Sequence, residues 1–193
     1  MNIELNQFLQ TLSQAFTLLL PITFAGLSLI ICMRKNWLAK LDIPLDGGIK
    51  LGGEPLIGKS KSVRSLVIYL VVATLVTMLL NSLAQESDLV APVYLNNPLI
   101  LGPAITLCYL AGEIVNSFVK RRLRIATSGH ALTSLGARVQ SITDNIDGII
   151  SSGLLFIFVY KLSTEILMTA FVLSVFIHLS TDALMRKLKL KRK

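Results

Sequence analysis

Long apolar runs without ionisable side chains constrain this chain more than any other feature. Residues 15–33 and 65–83 are uncharged, and a third uncharged run covers 89–112 and continues to Val119 with Glu113 as its one acid. A helix needs about 20 mostly apolar residues to cross a bilayer, and each run supplies them. Pro98 and Pro103 suit the entry or first turn of a helix better than its middle, so the third helix is expected to begin near Asn97. Two tighter candidates follow. Residues 148–160 are too few alone, which extends that helix back to Ser141 and includes Asp144 and Asp147, and residues 162–182 supply a fifth helix with Glu165 near its start. Only 16% of the 193 residues are charged, against about 25% in soluble domains. The expectation is an all-α integral membrane protein, one membrane domain over residues 1–193, with helices near 15–33, 65–83, 97–119, 141–160 and 162–182. The last two form an antiparallel hairpin about a turn at 160–163.

Basic residues give the orientation. Residues 34–64 carry seven Lys/Arg, residues 120–140 carry five, and the tail from Arg186 carries six. The segment before the first apolar run has none, residues 84–97 have none, and Lys161 stands alone in its turn. Lys and Arg concentrate in cytosolic loops, which implies an outside N-terminus, a cytosolic C-terminus and a multi-pass protein of the cell membrane. The net charge of +8 then belongs to the membrane side and not to a nucleic-acid partner. The N-terminus lacks a basic leader, and its apolar run is followed by Arg34 and Lys35 and not by a cleavage site, so it reads as a retained helix. Cys32 and Cys108 lie inside apolar runs and support neither a disulfide framework nor a zinc site. Residues 44–58 (PLDGGIKLGGEPLIG) are too rich in Gly and Pro for a helix and suit a folded turn, with the alternating I-K-L of residues 49–51 fit for a short hairpin strand.

Ionisable groups within membrane helices are costly and mark function by default. Here they converge. Glu113 lies two turns, roughly 10 Å, inside the boundary set by Lys120. Asp144 and Asp147 are at i and i+3, one face at the cytosolic mouth of the fourth helix. His178 and Asp182 are at i and i+4 near the cytosolic end of the fifth. Two basic clusters lie nearby: GKSKSVRS at residues 58–65 and KRRLR at residues 120–124. Carboxylates interleaved with Lys/Arg are what a Mg²⁺–polyphosphate needs, with oxygen ligands for the metal and cations for the remaining phosphate oxygens. Each element also has a plainer reading: KRRLR as a stop signal at anionic headgroups, Asp144 and Asp147 as helix N-terminal acids, Asp182 as a neutraliser of Arg186, His178 as an interfacial histidine. Their coincidence at one depth favours a lipid-phosphate or nucleotide site.

These residues resemble the CDP-archaeol synthases, the archaeal branch of the membrane CTP:phosphatidate cytidylyltransferases. PLDGG at 44–48 is similar to that family's first-loop start, and LIGKSKSVRS at 56–65 looks like its glycine- and lysine-bearing motif. GEIVNSFVKRRLRI at 112–125 looks like its central motif, TDNID at 143–147 like its paired-aspartate motif, and His178 with Asp182 like its final pair. The order, spacing and five-helix topology agree over roughly residues 40–190. The resemblance implies transfer of a cytidylyl group from CTP to a lipid phosphate with Mg²⁺. It would place Asp144 and Asp147 on metal, with Glu113 where the family has Asp. Lys61, Arg64, Lys120, Arg121 and Arg122 would fall on the phosphates of CTP and lipid, with Ser62 and Ser117 as hydrogen-bond donors to them. Asp46, Gly58 and Lys59 would complete the nucleotide-binding loop. Lys59 stands where the family has an acid, Ser60 and Ser65 where it has glycine, and Asn116 where it has lysine. The competing class is a non-catalytic subunit or scaffold that binds anionic lipid; a homodimer is the candidate assembly. A transporter would show repeats or mid-membrane breaks, and a CDP-alcohol phosphotransferase would need its D-G-x-x-A-R motif, both absent from the sequence.

Overall fold

Backbone N–H and C=O groups in hydrocarbon must find partners within their own segment, and the apolar runs accordingly lie in helices. The computed structural model describes residues 2–58, 61–123 and 134–187, with side chains at 4–58, 61–123, 146–177, 180 and 187. Within them run five α-helices: α1 (Asn2–Arg34), α2 (Val63–Ala84), α3 (Pro98–Arg122), α4 (Ser134–Phe158) and α5 (Thr164–Lys187). Three of these, α1 to α3, are long and apolar enough to cross a membrane; the apolar stretches of the other two, Ile146–Phe158 and Thr164–Ile177, are shorter. The apolar windows of α1, α2 and α3 are only 22–33% buried within the protein. That leaves side chains such as Phe24, Leu75, Leu79, Ile100 and Val115 facing outward, a wide apolar belt consistent with a membrane protein.

The helices outrun the hydropathy that announced them. α1 begins at Asn2, not at residue 15, because the polar residues that follow contain no Gly or Pro to stop a helix and are tied down. Gln10 and Gln14 donate to the Asp88 carbonyl at 3.3 and 2.7 Å. α4 begins at Ser134, so part of the stretch expected as a loop is helical, and it ends at Phe158, two residues early. The turn to α5 then passes through Lys161 in the left-handed region, φ 50°. α5 runs on to Lys187. Where caps are described, they are conventional. Ser62 and Ser65 form a capping box for α2, and the Asn97 side chain accepts from the Leu99 N–H before Pro98 opens α3. These satisfy donors that a helix start leaves free.

Each helix packs on its neighbours in sequence, and α5 returns to α1, so the five close a ring. At the end opposite the basic loops, the ring is filled by a core of Leu18, Leu80, Val90, Ala91, Val93, Tyr94, Leu101, Ile105, Phe156 and Ala170 among others. The short 3-10 helix over Pro92–Leu95 lies in that core. Pro21 has no N–H to give the Thr17 carbonyl, and the fully buried Tyr94 hydroxyl donates to that carbonyl at 3.0 Å. Thr17 Oγ1 in turn accepts from the Ala91 N–H at 3.1 Å. The loop between α2 and α3 is thereby held against the proline of α1.

Candidate functional site

The loop from α1 to α2 is built by its own backbone. The Leu45 N–H donates to the Lys61 carbonyl and the Val63 N–H to the Ile43 carbonyl, each at 2.8 Å, closing a neck. Beyond it, β1 (Lys50–Leu51) pairs antiparallel with β2 (Glu54–Pro55), the short hairpin expected from I-K-L. Asp46 organises the whole. Its carboxylate accepts from the Gly48 N–H at 2.9 Å, the Ile57 N–H at 2.9 Å and the Gly58 N–H at 3.4 Å. Burial raises its pKa, but these backbone donors outweigh that and hold it below the ordinary carboxylate value. Gly58 has φ 104°, a conformation that L side chains rarely adopt, and it turns the chain back towards Lys61.

Three residues that the resemblance places on phosphates have partners in and around this loop. Arg122 Nη1 donates to the Leu51 carbonyl at 2.6 Å and Nη2 to the Pro55 carbonyl at 2.9 Å, with its guanidinium 5.3 Å from the Phe118 ring. Arg64, almost fully buried, pairs with Asp42 at 3.0 Å. Ser62 caps α2. Arg122 grips backbone carbonyls, Arg64 an aspartate and Ser62 the first turn of α2, partners that the sequence, read as charge alone, does not show.

The residues that converge do so on α3. Tyr109, Glu113, Ser117 and Lys120 fall at i, i+4, i+8 and i+11, one face of the helix, and all four line a cavity of about 610 Å³. Lys61 reaches in from the loop and forms an ion pair with Glu113. From α4, Asp147 enters with both carboxylate oxygens held: Asn116 Nδ2 donates to Oδ2 at 2.7 Å and the Gly148 N–H to Oδ1 at 2.6 Å. Lys61, Glu113, Ser117, Lys120 and Asp147 make one end of the cavity polar. The remaining wall is largely aliphatic and aromatic, from Leu19, Ile22 and Leu29 of α1 through Leu154 and Ile157 of α4 to Leu167 and Phe171 of α5. From Asp147 to Ile157 the apolar wall of α4 extends about 15 Å.

Small residues allow α4 so close. A Cβ on Gly112 would strike the backbone of Asp147 and lie 2.8 Å from Ser151 Cβ, and one on Gly148 would lie 2.5 Å from the Tyr109 ring. Tyr109 stacks on Tyr69 of α2, ring centroids 5.9 Å apart.

Of the other expected site residues, Arg121 is buried near the end of α3. Asp144 lies on α4 one turn before Asp147, and His178 and Asp182 lie on α5; their side chains, like the whole of Lys59, fall outside the described residues. Tyr109 and Tyr69 were not anticipated. Tyr109 was legible as the residue one turn before Glu113 on the same face; the ring from α2 was not, since only the packing brings it there.

A magnesium ion, which the family resemblance implies, is compatible with this donor set. Glu113 and Asp147 are hard oxygen ligands lining one cavity, and Mg²⁺ commonly takes one or two carboxylates from protein and the rest from phosphate and water. Among the described residues no group of three His, Cys, Asp or Glu is gathered for an all-protein site.

Comparison with known proteins gives one family. The model of the CarS-like family, described as CDP-archaeol synthase, matches residues 10–193. No curated protein and no solved structure gives a significant match.

Proposed function

Because the chain belongs to the CDP-archaeol synthase family, we propose that it transfers the cytidylyl group of CTP to a membrane lipid phosphate of the archaetidic or phosphatidic acid type, releasing pyrophosphate. The observation that carries this reading is the division of one cavity into a charged end and a long apolar wall. A lipid phosphate is divided in the same way, whereas a water-soluble acceptor has no use for the apolar part.

An oxygen of the lipid phosphate attacks the α-phosphorus of CTP. The new P–O bond forms as the bond from that phosphorus to the oxygen bridging the β-phosphate breaks, and pyrophosphate leaves with the electron pair. The attacking phosphate is already ionised, so the site needs no strong general base. Transfer of this kind rests on positioning and on stabilising charge. Lys61 and Lys120 neutralise phosphate oxygens, with Lys61 exchanging the Glu113 carboxylate for a phosphate on binding. Ser117 donates a hydrogen bond at the same end, and Asn116 fixes the Asp147 carboxylate. Glu113 and Asp147, with Asp144 one turn earlier, would hold Mg²⁺, which when bound supplies further charge neutralisation for the departing pyrophosphate. In this reading all five helices cross the cell membrane and the charged end faces the cytosol, where CTP is found.

The test is a partition assay on detergent-purified full-length protein with CTP labelled in the α-phosphate and Mg²⁺, offering ester- and ether-linked lipid phosphates separately. Label is expected to enter the organic phase with one of them, and Asp147→Asn to reduce that transfer by about 10²–10³. Labelled CTP that binds yet never partitions would point to Lys59 and the replaced glycines for an altered acceptor, and no CTP binding at all would return the chain to the non-catalytic lipid-binding class.

A further inference from the structure

The segment that ends α1 is built to touch something outside the protein. α1 closes with Asn36 in the left-handed region, φ 55°. The Trp37 N–H donates to the Cys32 carbonyl at 2.9 Å and the Asn36 N–H to the Met33 carbonyl at 3.2 Å. This is a Schellman closure, and it places the Trp37 backbone rigidly at the helix end. Leu38 follows, also at φ 55°, a conformation unfavourable for any residue with a Cβ. Burial does not offset that strain: Trp37 is 58% exposed, Leu38 48% and Ile43 54%.

Three cations flank these apolar side chains. Arg34, Lys35 and Lys40 are all exposed, and among the described residues none is paired with a carboxylate, since Asp42 is taken by Arg64. The uncharged run of α1 ends at Met33 and the helix at Arg34, which sets Trp37 just beyond the end of the apolar run. That is the depth of lipid headgroups, where tryptophan and lysine together anchor membrane proteins.

We propose that residues 34–43 form a headgroup-binding foot selective for anionic lipid, with Trp37 and Leu38 seated among the headgroups and Lys35 and Lys40 recruiting their phosphates. The inference rests on α1 entering the bilayer and is independent of the reaction proposed above.

Trp37 is the sole tryptophan of the chain, so its emission reports this segment directly. The full-length protein is placed in vesicles of mixed zwitterionic and anionic phospholipid, brominated near the headgroup on only one lipid class at a time. Labelled anionic lipid at the same mole fraction is expected to quench Trp37 roughly twice as strongly as labelled zwitterionic lipid. The preference is expected to fall in high salt and to disappear in the Lys35→Gln/Lys40→Gln variant, whose changes lie on exposed side chains. Equal quenching by the two labelled lipids, a preference that survives the double substitution, or emission unaffected by either label would each overturn the proposal. A failure of lipid-phosphate turnover would leave all three readings unchanged.

Discussion

Among the described residues, some charged side chains hold backbone and others line the cavity. Asp46, with three backbone donors, belongs to the first kind, and its lowered pKa has a consequence. A carboxyl whose folded pKa is depressed stabilises the folded state above its unfolded value, near 3.9, and that contribution is lost as pH falls through the lower folded value. Resistance of the residue 47–57 hairpin to proteolysis should therefore hold from neutral pH to about pH 4 and fall below it. Asp46→Asn should weaken the hairpin already at pH 7 and flatten that fall. Asn116 acts on a carboxylate of the cavity, that of Asp147. Removing its amide in Asn116→Ala frees Asp147 Oδ2 to turn away, and turnover should fall by about 10–100-fold, the usual cost of losing a group that orients a ligand carboxylate. Thermal unfolding of the detergent-solubilised variant should remain close to that of the parent, which separates positioning from folding.

Helices α3 and α4 meet through glycine, and the site depends on that approach. A methyl at Gly112 would collide with the backbone of Asp147, which cannot swing aside as a side chain could. Gly112→Ala should therefore separate the two helices, break the Asn116–Asp147 hydrogen bond and abolish measurable transfer while the protein stays helical by circular dichroism. At the other end, α1 depends on a neighbour to complete its hydrogen bonding. Tyr94→Phe would leave the Thr17 carbonyl, already without an N–H because of Pro21, unsatisfied in a buried setting. The expected loss is about 1–3 kcal/mol, measured as unfolding in detergent. Transfer activity at low temperature should be retained, because Tyr94 does not line the cavity.

The whole molecule is a ring of helices carrying eighteen of its nineteen Lys/Arg in three segments, 34–64, 120–140 and the tail from Arg186. If those segments share the cytosolic face, a cysteine introduced at Glu4 should react with a membrane-impermeant maleimide in intact cells, and one at Lys193 only after permeabilisation. Cys32 and Cys108 are replaced by Ser beforehand. Labelling of both, or of neither, before permeabilisation would give an even number of crossings and overturn the five-span arrangement.

Much of this was settled by the sequence before any packing. Hydrocarbon tolerates few charges, so the uncharged runs marked the apolar helices. Gly and Pro cannot propagate a helix, so residues 44–58 had to turn. Glu113, Asp144 and Asp147 stood out because acids within apolar helices are costly. Helix ends were less legible, since hydropathy marks where lipid touches a helix and not where its hydrogen bonds stop; α1 runs thirteen residues upstream of its apolar stretch for that reason. The tertiary structure alone decided which cations reach the cavity. Lys61 and Lys120 line the cavity, whereas Arg64 and Arg122 are held by an aspartate and by backbone carbonyls. A guanidinium in sequence is only a charge, and its role follows from whichever acceptor the fold brings within 3 Å.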